Sequence, residues 1–156
     1  MATGNSLQKL TSHKNRVFHD VCCGAGTIDS VIVGLHGVYT VSVIARKPGK
    51  DNQLRLKDDQ LIFPREEVVS VQRSRTKSVR LAKEIRLTTG NNIRVRSVIA
   101  VPGWEVVSQV SSDFMVVNER NVAMLTGWRD EKDYLLNEDV ETIHQMLTER
   151  CTRFST

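Results

Sequence analysis

Residues 28–48, IDSVIVGLHGVYTVSVIARKP, limit what this chain can fold into more than any other stretch. Two β-branched runs, 28–33 and 38–44, stand on either side of Gly34, Leu35, His36 and Gly37. β-Branched side chains lose rotamer freedom in a helix and pack well on a pleated surface, so both runs read as strands. The glycines give the backbone freedom for a tight reversal, which makes the pair an antiparallel hairpin. Both runs are almost continuously apolar rather than alternating, the pattern of strands covered on both faces. The stretch is too short, and too broken by glycine, to span a membrane as a helix.

The remaining segments supply what would cover such a hairpin. Residues 16–21 (RVFHDV) read as a short strand that turns at Gly24, Ala25 and Gly26. The cluster at 47–52 (KPGKDN) is a turn, followed by a small hairpin of 53–56 and 60–63 around Lys57, Asp58 and Asp59. The spacing predicts a long helix over about 66–89. Val68, Val71, Ser78, Val79, Leu81, Ala82 and Ile85 gather on one face, with Arg73, Lys77, Arg80 and Glu84 opposite. Gly90 closes it as a C-terminal cap. A strand at 93–101 follows, and 114–117 with 122–125 read as another short hairpin. Asn137 is placed as N-cap of a last helix over about 138–151, with Val140, Ile143 and Leu147 on one stripe. The order is strands, long helix, strands, closing helix, which makes a compact α/β fold. Residues 1–15 read as a helical stub or tail and 16–152 as a single domain. The abrupt start suits a piece of a larger protein.

Charge is uneven along the chain. The formal net charge of the 156 residues is +4. Between Arg65 and Arg96, nine basic residues face only Glu66, Glu67 and Glu84; from Asp113 onward the balance reverses, with Asp130, Glu131, Asp133, Glu138, Asp139 and Glu141 prominent. A basic middle permits phosphate contact on one side of the molecule. Three cysteines, two of them the adjacent Cys22 and Cys23, make neither a disulfide framework nor a CxxC pair. That usage, and a start without a signal-peptide pattern, place the chain in a reducing, cytoplasmic setting. His13, His19, His36 and His144 are dispersed without metal-ligand spacing. No nucleophile elbow is present, and Gly24-Ala25-Gly26 is too short for a phosphate loop.

The ordered set VFHDV…TIDSVIVGLHGVYTV, then EVVSVQRSRTKSVRLAKEI, then IRVRSVIAV resembles the NERD (nuclease-related) domain, over roughly residues 7–101. Asp29, Gly34, Gly37 and Tyr39 fall in the family's pattern, and Gln72 stands where the family places a glutamine early in the helix. The resemblance implies a restriction-endonuclease-like α/β fold with a central mixed β-sheet. It also implies a site in which two carboxylates hold Mg²⁺ and a lysine orients the attacking water. The second acid and the lysine stand two residues apart because alternate strand residues share a face. Here Ser42 and Ile44 occupy those two places. A hydroxyl is a weak Mg²⁺ ligand, and an isoleucine handles no charge.

The site implied is therefore a vestigial pocket of Asp29, Ser42, Ile44 and Gln72, in which Asp29 alone is left to hold metal. No cofactor is expected; Mg²⁺ belongs only to the alternative of an active nuclease, with Arg46 or Lys47 standing in for the lysine and Asp51 swinging in. The bland reading of Asp29 is a turn or strand-edge aspartate satisfied by backbone donors. For Gln72 it is a polar residue at the border of the buried face. Arg46, Lys47, Lys50, Arg73, Lys77 and Arg80 are the candidates for contact with DNA or RNA phosphates, against the plain alternative of a solvated helix face. Nothing interleaves aromatic residues among them as a base-stacking platform would require. The expected function is a non-catalytic nucleic-acid-binding module. A protein-interaction domain, docking other domains of a larger protein, is the third alternative.

Overall fold

The structure, a computed structural model, describes residues 16–35, 37–57, 60–108, 114–118 and 135–155. Among these residues the strands are β1 (Arg16–Cys23), β2 (Gly26–Gly34), β3 (Gly37–Val43), β4 (Gln53–Lys57), β5 (Gln60–Ile62) and β6 (Val68–Ser70). The helix α1 (Gln72–Thr89) follows, then β7 (Val95–Ala100), β8 (Glu105–Ser108), β9 (Phe114–Val117), the helix α2 (Asn137–Arg150) and β10 (Cys151–Ser155). They make a mixed α/β fold with two sheets. The larger has the order β10-β1-β2-β3-β7-β9 and the smaller the order β6-β5-β4-β8.

The hairpin at the centre forms as the sequence requires. β2 and β3 pair antiparallel from Ser30↔Val41 to Gly34↔Gly37. Gly37 takes a φ of 136°, which only glycine adopts readily. β1 adds on the other side of β2, and Asp20 within it has a φ of 52°. Aspartate tolerates this left-handed region better than most residues. The twist brings Phe18 and Val21 into the same buried cluster although they are an odd number of positions apart.

Three groups of buried residues hold the layers together. Phe18, Val31, Val33 and Val38 of the sheet meet Leu81 and Ile85 of α1 and Val140, Ile143 and Leu147 of α2. On the opposite face of the sheet lie Val17, Ile32, Tyr39, Val41, Val98, Ala100 and Val117. The smaller sheet packs through Leu54, Leu61, Phe63 and Trp104 against Ile99, Phe114 and Val116 of the larger one. Removing a fully buried leucine such as Leu81 or Leu147 to alanine at such places typically costs about 2–5 kcal/mol. No helix among the described residues is long and apolar enough to cross a membrane.

Several expectations are corrected. The long helix begins at Gln72, not near 66, because 68–70 is strand β6, paired with β5 as Ile62↔Val68 and Leu61↔Val69. Val68 and Val71 fit a helical stripe and a strand equally well, and strand pairing with β5 decided between them. Before it, 64–66 make one 3-10 turn. Val79, expected on the buried face of α1, is 71 % exposed. Asn137 is the first residue of α2 rather than its cap, and Leu136 holds the cap position without a side-chain bond. Residues 114–117 do form a strand, but it pairs parallel with β7; residues 122–125 lie outside the described residues, as do 1–15. β8 and β10 were not foreseen. Gly90 caps α1 as expected, with a φ of 81° and its N–H donating to Arg86 O at 2.8 Å.

Candidate functional site

The face of β3 that carries Val38, Thr40, Ser42 and Ile44 lies beneath α1. Val38 joins the core with Leu81 and Ile85. Thr40 Oγ1 and Ser78 Oγ are 2.5 Å apart, and Ser78 Oγ is also 2.5 Å from Ser97 Oγ of β7. One position further along, Ser74 Oγ donates to Ser42 Oγ at 2.9 Å. Ile44 ends the row against the apolar cluster of the smaller sheet. Helix and sheet thus meet through a layer of short hydroxyls that satisfy one another. α1 can approach closely because its contact residues here are serines.

That geometry decides what the four pocket residues do. Ser42 is spent on Ser74, and Ile44 is half-buried against the apolar cluster of the smaller sheet. Asp29 is exposed, and its Oδ2 accepts the backbone N–H of Val43 at 2.8 Å, so a backbone donor satisfies it, though on an interior strand of the sheet. Gln72 is exposed at the first position of α1, and its N–H donates to Ser70 Oγ at 3.2 Å. The only acids in β1, β2 and β3 are Asp20 and Asp29, and no group of three or more metal-ligating His, Cys, Asp or Glu occurs among the described residues. One carboxylate already bonded to a backbone donor, beside hydroxyls bonded to each other, does not fit Mg²⁺. That ion demands near-octahedral oxygen ligands and is normally anchored by carboxylates. Asp51 has not swung toward the row; its Oδ1 accepts the N–H of Gln53 at 3.0 Å and closes its own turn.

The candidate cations divide into two sets. Lys77 Nζ donates to Thr27 O at 2.7 Å, which ties α1 to the turn between β1 and β2. Arg80 lies over the same turn, so close that a Cβ on Gly24 would stand 2.4 Å from its Nε. Its Nε is also 4.0 Å from Glu84, whose Oε1 pairs with Arg150 at 3.0 Å. Sequence reasoning placed these residues opposite the apolar face, as candidates for phosphate contact against a solvated face, and could not see the turn that folds against them. Arg73 is exposed nearby.

Arg46, Lys47 and Lys50 do come together, in a groove of about 1010 Å³ between the segment after β3 and the 3-10 turn after β5. Arg65, Glu67, Asp51, Phe63 and Trp104 complete it. The floor is built from the two aromatic rings, 4.8 Å apart and edge-to-face at 80°. Arg46 is held three ways. Its guanidinium lies 4.7 Å over the Phe63 ring, its Nη1 meets Glu67 Oε2 at 2.5 Å, and its carbonyl accepts Trp104 Nε1 at 2.6 Å. Arg65 was missed as a site residue because it reaches the groove only when the smaller sheet folds back. The one hint in the sequence is Pro64 followed directly by charged residues after the apolar Phe63. Phe63 and Trp104 are buried beneath this layer, so they shape the floor and offer no stacking platform.

Set against known proteins, the chain matches no family model, no curated protein and no solved structure.

Proposed function

We propose that the chain is a nuclease-related, NERD-like domain of restriction-endonuclease-like type that binds nucleic acid without cleaving it. The observation that carries this reading is the contrast between two neighbouring places. The β3 row is filled by mutually bonded hydroxyls and a half-buried isoleucine, whereas the groove just beyond it concentrates Arg46, Lys47, Lys50 and Arg65. The order of hairpin, long helix and returning parallel strand supports the scaffold half of the proposal. The binding half rests on electrostatics, because clustered cations in a concave surface focus attraction on a phosphate chain.

The test has two arms. Plasmid and labelled oligonucleotides incubated with Mg²⁺ or Mn²⁺ stay intact on this reading, while polarisation of the same oligonucleotides reports binding that weakens with salt. Cleavage abolished by Asp29→Ala would instead establish an active nuclease with a relocated cation. Polarisation unchanged by protein at low salt would favour a protein-interaction domain.

A further inference from the structure

We propose that Glu67 is a built-in competitor for the groove's phosphate site, occupying Arg46 until a phosphodiester displaces it; this deepens the nucleic-acid reading and rests on it. Arg46 is the best-positioned cation of the groove. Its guanidinium carbon is seated 4.7 Å over the Phe63 ring, and the bond from Trp104 Nε1 to its carbonyl holds its backbone. A guanidinium seated over a ring and partly exposed offers its fork to two anionic oxygens. Glu67 supplies such an oxygen from within the protein.

Glu67 is itself held in place. Its carbonyl accepts the N–H of Phe63 at 2.8 Å, a bond that bridges the two ends of the 3-10 turn. Within that turn Arg65 sits at φ 66°, ψ 24°, a left-handed conformation that a residue with a Cβ adopts at a cost. The strained turn sets Glu67 against Arg46 and leaves Arg65 lining the same groove. The other acid there, Asp51, turns its Oδ1 back to Gln53. Glu67 is therefore the carboxylate that an incoming phosphate must replace. It is free to leave, since its side chain is 59 % exposed and stays solvated when it swings away. The exchange breaks no covalent bond and needs no other reactant: one carboxylate–guanidinium contact is replaced by a phosphate–guanidinium contact.

The experiment measures binding of a fluorescein-labelled twelve-nucleotide oligothymidylate by polarisation at low salt. Glu67→Gln, which keeps the shape and removes the charge, is expected to tighten binding about two- to fivefold, the range an exposed ion pair spans. In an Arg46→Gln background the gain disappears; Arg46→Lys, which keeps charge and loses the fork, serves if that variant does not fold by thermal melting. Glu141→Gln on exposed α2 changes the net charge equally and is expected to leave affinity nearly unchanged. No tightening in Glu67→Gln, equal tightening in Glu141→Gln, or a gain that survives loss of Arg46 each overturns the competitor role while leaving nucleic-acid binding intact. Absence of binding by every variant and by the parent overturns both.

Discussion

At the scale of single residues, Asp29 separates a structural aspartate from a metal ligand. Its carboxylate accepts from the Val43 N–H at the end of β3, so removing it strips one backbone donor of its partner where that strand ends. Asp29→Ala is expected to lower stability by about 1 kcal/mol, as for an ordinary intramolecular hydrogen bond in a solvated place. Asp29→Asn retains an acceptor and loses less. Urea titration of both variants checks this. A metal ligand would behave differently, since Mn²⁺ would stabilise the parent and not Asp29→Asn. At this scale the sequence was informative about identity and poor about partners. Ser42 and Ile44 were legible as a hydroxyl and a hydrocarbon two residues apart on one strand face. That Ser74 would meet Ser42 depends on how α1 sits over β3, and no spacing in the chain encodes it. Arg65 joined Arg46 for a similar reason: nineteen positions apart in sequence, they meet only through the smaller sheet.

At the scale of elements, α1 and β3 are joined by hydroxyls where most helix–sheet contacts are apolar. Ser78 is the hub, contacting Thr40, Ser97 and the carbonyl of Ser74 at 3.2 Å. Thr40, Ser78 and Ser97 are all at most 3 % exposed. Buried polar atoms of this kind are costly when a partner is lost. Ser78→Ala is expected to destabilise by about 1–3 kcal/mol, measured as a shift in denaturation midpoint with unchanged slope. Val79→Ala, one residue on but exposed, should change the midpoint little. The hairpin of β2 and β3 was readable because two glycines and two β-branched runs fix it locally. The stripe of α2 was readable from Val140, Ile143 and Leu147, all of which are buried. The start of α1 was not, since Val68 and Val71 satisfy both periodicities and pairing with β5 decides between them. β10 carries no local signal; it exists because β1 offers it an edge, Val21↔Cys151 to Val17↔Ser155.

At the scale of the whole molecule, stability and binding respond to different charges. His144 is buried between α2 and the sheet, 5.8 Å from the Phe18 ring. Burial lowers its pKa below the usual 6.5, and the nearby Arg16 lowers it further, while Glu141 acts in the opposite direction. The unfolded chain therefore takes up a proton near pH 6.5 that the folded protein resists. It follows that stability from this group is complete above pH 6.5 and falls as pH drops below it toward the folded value. Urea midpoints at pH 7.5 and 5.5 are expected to show this fall in the parent, and a smaller one in His144→Phe. An equal fall in both proteins would remove His144 as its cause.

The nucleic-acid binding proposed for the groove is a surface property and answers instead to ionic strength. The most direct measurement of the central claim is the slope of log affinity against log salt for the oligothymidylate, taken on the parent and on Lys47→Gln/Lys50→Gln with product recovered intact from Mg²⁺. With about three phosphate contacts the parent slope is expected near −2, and loss of two lysines should bring it to about −0.7, the contribution of a single contact on a single strand. A slope near zero, a slope untouched by the two substitutions, or shortened oligonucleotide in the recovered product would contradict the account.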